Sequence, residues 1–473
     1  IDKKSMTSFF KFGYIPGENS IYKSVKKLSP GTILEIHQNG DMQKYQYWSI
    51  KLDEPQSNSR EMIEKGDYVD KLNGLLSSSV KKQMISDVPI GAFLSGGIDS
   101  SIIVALMQSQ SISKVRTFTI GFEQQVFNEA DHAKKIANHL NTDHSELILR
   151  PQDALDVVPL IQNIYDEPFS DASQIPTYLL SKFAKQSVTV SLSGDGGDEL
   201  FGGYERYFRG VKMWRYLSVL PVSVRNNLSK GISSVSEKSW NQHYSKVENI
   251  LPNRFKVNNL GYKLHKFARL SDSPSFEQYV LRLVSHVNST TMITGDQEAH
   301  QSVYENEFLY SNQMEKSELM MFLDINGFLP DDILVKVDRA AMAVSLETRI
   351  PFLDHKIVEF ATNLPLRYKI SGGKGKTIVR DLLKQYVPEH MYDRSKQGFS
   401  VPIDSWLRGP LRDWAETLLN RKRLEEQGLL NTEWILNCWS NHIKGEGSYQ
   451  YHLWDILMFQ SWLDSSQNPS EHD

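Results

Sequence analysis

The chain has 473 residues, 40% of them hydrophobic and 23% charged, with a formal net charge of -4. That length allows two or three packed domains, and so small a net charge excludes bulk nucleic-acid binding, which depends on neutralising many phosphates. No apolar run reaches the roughly 18–20 residues needed to span a bilayer, no signal-peptide pattern opens the chain, and the single cysteine, Cys438, excludes an internal disulfide or a cysteine-based zinc site. A reducing, cytoplasmic setting is expected.

In chain order, residues 1–50 read as β-rich: GTILEI (Gly31–Ile36) alternates, ends at QNGD, and can pair with KYQYW (Lys44–Trp48) as a hairpin. So small a unit cannot bury a core of its own. Residues 51–66, rich in Pro, Ser, Asn and charges, read as a linker. Tyr68, Val69, Leu72, Leu75, Leu76, Val80 and Met84 then share one helical face. VPIGAFL predicts a buried strand and DSSIIVALMQS a helix with Asp99 near its start. Val115–Phe122, HSELIL and Ser187–Asp195 predict three more strands, with helices in NEADHAKKIANHL and around Asp153–Ile164. Strands alternating with helices imply an α/β fold, a doubly wound parallel sheet covered on both faces. Beyond about residue 200 the patterns are mainly helical, and SSQNPSEHD reads as a tail.

In such sheets ligands collect beyond the carboxyl ends of the strands. Two Gly-rich polar loops are expected there: Ser95-Gly96-Gly97-Ile98-Asp99-Ser100 and Ser193-Gly194-Asp195-Gly196-Gly197-Asp198-Glu199. Glycines admit backbone N–H groups close to an anion, serines add donors, and a helix N-terminus adds positive potential. An acid in a phosphate loop either caps the helix or holds Mg2+ that grips the phosphates. The second loop brings Asp195, Asp198 and Glu199 to the same edge with no basic residue of its own, which favours a shared metal–polyphosphate. GKT (Gly375–Thr377) lacks the earlier glycine of a Walker loop.

These loops resemble the asparagine synthase family of glutamine-dependent amidotransferases. Further resembling stretches follow in the family's order: FLPDDILVKVDRAAMAVSLETRIPFLDH (Phe328–His355), GKGKTIVR (Gly373–Arg380) and RSKQGFSVPIDSWL (Arg394–Leu407). FGYIPGENSIYKSVKKLSPGTILEI (Phe12–Ile36) resembles the end of the family's glutaminase domain. The resemblance implies an ATP-pyrophosphatase-type sheet. It also implies a ligase that joins a carboxylate to AMP, releases pyrophosphate, and lets ammonia displace AMP. Aspartate is the expected acceptor.

By the same resemblance, Ser95, Gly96, Gly97 and Ser100 bind the pyrophosphate portion of ATP, and Asp99 and Asp198 hold Mg2+. The backbone near Leu94, Ile120, Ser193 and Gly194 holds adenosine. Asp195 stands where the family has an acid, usually Glu, that supports intermediate formation and ammonia attack. Lys396 matches a lysine that stabilises charge on the α-phosphate, a task suited to a compact point charge. Lys376 is a second phosphate candidate. Glu347 and Arg349 either orient the acceptor or form a structural ion pair.

The division expected is a glutaminase remnant (1–50), a linker (51–66), a synthetase domain (67–465) and a tail (466–473). The synthetase domain divides into an ATP-binding α/β core (67–205) and a mainly helical part (206–465). The family's glutaminase uses an N-terminal cysteine; position 1 is Ile1, and Cys438 reads as a core thiol, so ammonia is expected from a glutaminase domain missing from the sequence or separate from it. Partners are then a small-molecule carboxylate and ammonia, with no nucleic acid, no membrane span, and a homodimer as one arrangement. Two other readings stay open: a uronic acid or other carboxylate of surface-polysaccharide synthesis as acceptor, and a non-catalytic nucleotide-binding subunit. A β-lactam-synthetase-like cyclisation ranks below the first of these. RYFRGVKMWRY (Arg206–Tyr216) reads as a helix with an aromatic packing face rather than a single-strand binder. His132, His139 and His144 lack metal-ligand spacing.

Overall fold

The computed structural model describes residues 1–50, 64–122, 130–248, 256–257, 259–286, 292–295, 298–306, 314–394 and 401–467. Two strands, β1 (Thr32–Ile36) and β2 (Met42–Gln46), form the expected antiparallel hairpin, pairing Thr32 with Gln46 and Ile36 with Met42. The rest of the β-rich expectation for residues 1–50 does not hold. Lys3–Phe12 is an α-helix (α1), capped by the Asp2 carboxylate and ended by Gly13 at φ 85°. Met6, Phe9, Phe10 and Phe12 fall on its inner side and are buried. Phe10 lies 5.4 Å from Phe459 of the long helix Gln450–Gln467, so this segment is part of the larger core.

The main sheet has five strands: β3 (Ile90–Phe93), β4 (Arg116–Phe122), β5 (Asp143–Leu149), β6 (Val190–Leu192) and β7 (Glu347–Arg349). Their order is β5-β4-β3-β6-β7 and every neighbouring pair is parallel. Four of these strands were predicted. The fifth, Glu-Thr-Arg, comes from the part expected to be helical and has no apolar residue to mark it as a strand. Helices Lys65–Gln83 (α2), Ile98–Gln110 (α3), Ala130–Leu140 (α4) and Gln174–Lys185 (α5) cover the sheet's faces. The helix expected around Asp153–Ile164 is broken into a single turn, Pro151–Leu155, and a 3-10 segment, Val158–Asn163, each with a proline at its start. α5, not predicted, completes the crossover to β6.

The chain runs outward from β3 to β4 and β5, then returns to place β6 on β3's other side. The topological switch point therefore lies between β3 and β6, where an open parallel sheet forms its ligand crevice. Both Gly-rich loops leave the sheet at that point. Among the described residues no helix is long and apolar enough to cross a membrane.

Candidate active site

The loop after β3 folds on its own hydroxyls. Ser95 N–H donates to Ser100 Oγ at 3.2 Å, Gly97 N–H donates to Ser95 Oγ at 3.2 Å, and the two hydroxyls lie 3.0 Å apart. Gly97 is the N-cap of α3, which places Asp99 in the first turn, where the helix dipole favours a negative charge. The loop after β6 is pinned by Ser193 N–H to the Arg349 carbonyl at 2.9 Å and by Ser193 Oγ–H to Asp195 at 2.7 Å. Asp198 opens the short helix Gly197–Phe201 (α6). A Cβ on Gly194 would stand 2.7 Å from the Ser100 amide nitrogen, so the two loops interlock only because that residue is glycine.

Lys376 joins them. Its ammonium contacts Asp99 Oδ2 and lies 2.8 Å from Asp198 Oδ1, with the side chain almost fully buried. Burial opposes its charge, but the two carboxylates outweigh that and raise its pKa. The backbone here is left-handed, φ 58°, an uncommon state for a residue with a side chain, and the Phe201 carbonyl holds it in place at 2.9 Å. The expectation that the acids lacked a basic neighbour therefore holds only within their own loop. The donor set fits a magnesium ion: a single cation already touches both carboxylates, and Mg2+ takes one or two carboxylates together with phosphate oxygens.

The crevice opens into a cavity of about 960 Å³ whose wall includes Leu94, Ser95, Gly97, Asp99, Ser100, Ser193, Gly194, Asp195, Asp198 and Lys376. Four expected residues behave differently. Gly96, at φ 72°, is off the wall; a Cβ there would meet the Ala133 nitrogen at 2.8 Å, so its task is close packing on α4. Ile120 is buried in the core, and its neighbour Thr119 lines the cavity instead. Glu347 and Arg349 do not reach the cavity wall. Arg349 Nε bonds Glu347 at 2.7 Å, and its Nη1 bonds the carbonyls of Gln83 and Ile85, each at 2.7 Å, tying β7 to the end of α2. In this structure the two form an ion pair at the sheet edge. Lys396 lies outside the described residues.

The cavity wall also carries charges that sequence reasoning left unassigned. Lys336, buried, lies 2.8 Å from Asp171. Burial raises the Asp171 pKa, yet the Lys336 ammonium more than offsets this and holds the carboxyl low. Burial, and then the Asp171 charge beside it, push the pKa of Asp332 well above the ordinary carboxylate range. His286 Nδ1 lies 3.0 Å from Asp455, which also accepts from Ser170 Oγ at 2.6 Å. Lys336 and Asp332 sit inside FLPDDILVKVDRA, which was quoted without roles for them. Nothing local marks His286 or Asp455, which meet only through folding.

Other sequence candidates separate. His139 bonds the Tyr386 carbonyl and His144 bonds Thr117, each at 2.9 Å. Cys438 is buried on the helix Thr432–Ile443, and burial pushes its thiol up to about 12, which suppresses thiolate chemistry.

A parallel sheet with two acidic glycine loops at its switch point defines a nucleotide-using α/β enzyme. The chain belongs to the asparagine synthase family of ATP-dependent amidotransferases: the family profile described as Asparagine synthase matches residues 71–464. It is similar to the glutamine-hydrolyzing asparagine synthetase 1 of Bacillus subtilis, with 30% identity over 98% of this chain and 68% of that protein. A putative glutamine-hydrolyzing asparagine synthetase of Mycobacterium bovis is 29% identical, covering 98% of this chain and 67% of that protein. The similarity extends to a Penicillium rubens protein named amidase chyE, at 24% identity over 87% of this chain and 64% of that protein.

Proposed function

We propose that the chain adenylates the side-chain carboxylate of aspartate with ATP and passes the acyl group to ammonia, giving asparagine, AMP and pyrophosphate. The observation that carries this reading is the Lys376 ammonium seated between Asp99 and Asp198 where the two loops interlock. Mg2+ held by Asp99 and Asp198 would neutralise charge on the phosphates.

The chain's residues act around that point. Ser95, Ser100 and the N-terminus of α3 receive the pyrophosphate end. Leu94, Ser193 and Gly194 carry the adenosine side of the crevice. An acceptor oxygen attacks the α-phosphorus while the bond to pyrophosphate breaks. Ammonia then attacks the acyl carbon, the bond to AMP breaks, and Asp195, fixed by Ser193, is placed to take the proton that nitrogen loses. Lys396 is assigned to the α-phosphate by its place in the family motif. Lys336 and Asp171 line the same cavity.

The test supplies ATP, Mg2+, ammonium and, in separate reactions, aspartate, glutamate and glucuronate. AMP and pyrophosphate formed with aspartate alone are expected. ADP and phosphate would overturn adenylation. AMP formed with glucuronate and not aspartate would leave adenylation standing and reassign the acceptor.

A further inference from the structure

Residues 206–236 contain Arg206, Arg209, Lys212, Arg215, Arg225 and Lys230 and no acidic residue, within a chain of net charge -4. Two of these cations serve the interior. Arg206 pairs with Asp324, and Arg225 donates to the carbonyls of Ser271 and Ser273. Arg209 meets Glu205 at 3.0 Å. Lys212, Arg215 and Lys230 are exposed.

The aromatic side of this segment faces inward, with Trp214 packed 5.2 Å from Tyr279 and 5.8 Å from Phe276. The outer side is apolar as well. The helices Arg209–Leu217 and Val222–Ser233 meet in a corner at residues 218–221. Around that corner Tyr216 is 66% exposed, Val219 79% and Val224 47%, with Leu220 and Val222 exposed beside them. Isolated exposed apolar side chains are ordinary; five within nine residues, with the exposed cations Lys212 and Arg215 on the preceding helix, are not.

We propose that this corner is a peripheral anchor for an anionic lipid surface. Its parts match that partner: aliphatic side chains at the tip to enter the headgroup region, a tyrosine at interfacial depth, and lysine and arginine behind them to meet anionic headgroups. A second copy of the chain would bring the same cations against these. A single-stranded nucleic acid would need outward aromatic faces for stacking, and Trp214 is turned inward. The corner contributes no residue to the cavity wall described above, so anchoring and catalysis are separable.

The experiment is flotation of the full chain with vesicles of phosphatidylcholine alone and of an equal mixture of phosphatidylcholine and phosphatidylglycerol. The chain is expected to float with the mixed vesicles only, less so as salt rises. The double variant V219S/L220S should bind on the order of tenfold more weakly. K212E/R215E should lose the preference for the anionic lipid. Both should keep the wild-type circular dichroism spectrum and wild-type AMP formation without vesicles. Failure of the wild type to float at low salt, or V219S/L220S binding like wild type, would overturn the proposal. So would a wild-type dimer that V219S/L220S converts to monomer without lipid, since the corner would then serve a second copy.

Discussion

Two buried charge clusters flank the stretch between Asp198 and Arg206, and they are built differently. Asp324 accepts from Arg206 at 2.7 and 3.1 Å, from Tyr207 at 2.5 Å and from Tyr304 at 2.7 Å. One anion faces one cation, both carboxylate oxygens are used, and the rings that pack on Arg206, Tyr204 and Phe328, carry the cluster to the cavity wall. Among the described residues, the Lys376 ammonium contacts two carboxylates, Asp99 and Asp198, on the wall itself. The first arrangement is complete and needs nothing further from solution. The second sets two carboxylates around one ammonium at the point where the two glycine loops meet. The first cluster lies in the interior, and the second stands on the cavity wall.

The largest effect separating the two plans is expected at Asp324. Asp324→Ala leaves the Arg206 charge buried and unpaired, and urea unfolding should show a loss of about 3–5 kcal/mol. A loss below about 1 kcal/mol would remove the cluster's structural role. Asp99→Asn should do the reverse, lowering AMP formation about 10²- to 10³-fold, the usual cost of deleting one electrostatic group from a site. Its thermal midpoint should fall only modestly, because the Lys376 ammonium keeps its 2.8 Å contact with Asp198. An active Asp99→Asn enzyme would take Asp99 out of the site. Gly194→Ala sharpens the contrast at the loop contact: the added methyl group should cost about 1–3 kcal/mol in stability and raise the KM for ATP more than it lowers kcat.

The smallest effect is a pH dependence at His286. Burial alone would lower its pKa, but the charge and hydrogen bond of Asp455 raise it above the ordinary 6.5. The pair's contribution to stability is therefore complete below 6.5 and fades as pH climbs through the raised value. Melting temperatures in mildly acidic and in alkaline buffer should show this loss in wild type and not in His286→Gln; equal slopes in the two proteins would contradict it.

The parallel sheet and both loops were legible in the sequence because each rests on contiguous residues: an apolar run, then glycines and serines, then an acid. β7 was not, since Glu347–Arg349 is three residues without an apolar run and becomes a strand only by adding to β6. α1 was hidden behind the stronger alternation of the hairpin that follows it. The site divided in the same way. Asp99 and Asp198 could be read from their own loops, whereas the counter-charge from Lys376 depends on a left-handed backbone and a contact made across most of the chain. Glu347 and Arg349 sit in a long motif that also carries the sheet edge, so the motif alone did not separate an acceptor-facing role from an ion pair. Asp171, His286 and Asp455 come from three separate segments, and no local pattern joins them.

The central claim is that an acceptor carboxylate attacks the α-phosphorus within this crevice. The direct measurement uses aspartate carrying heavy oxygen in its side-chain carboxylate, with ATP, Mg2+ and ammonium, and reads the isotope in the products by mass spectrometry. The account predicts one acceptor oxygen in the phosphate of AMP for each asparagine formed. Unlabelled AMP, or label appearing in free phosphate alongside ADP, would contradict it.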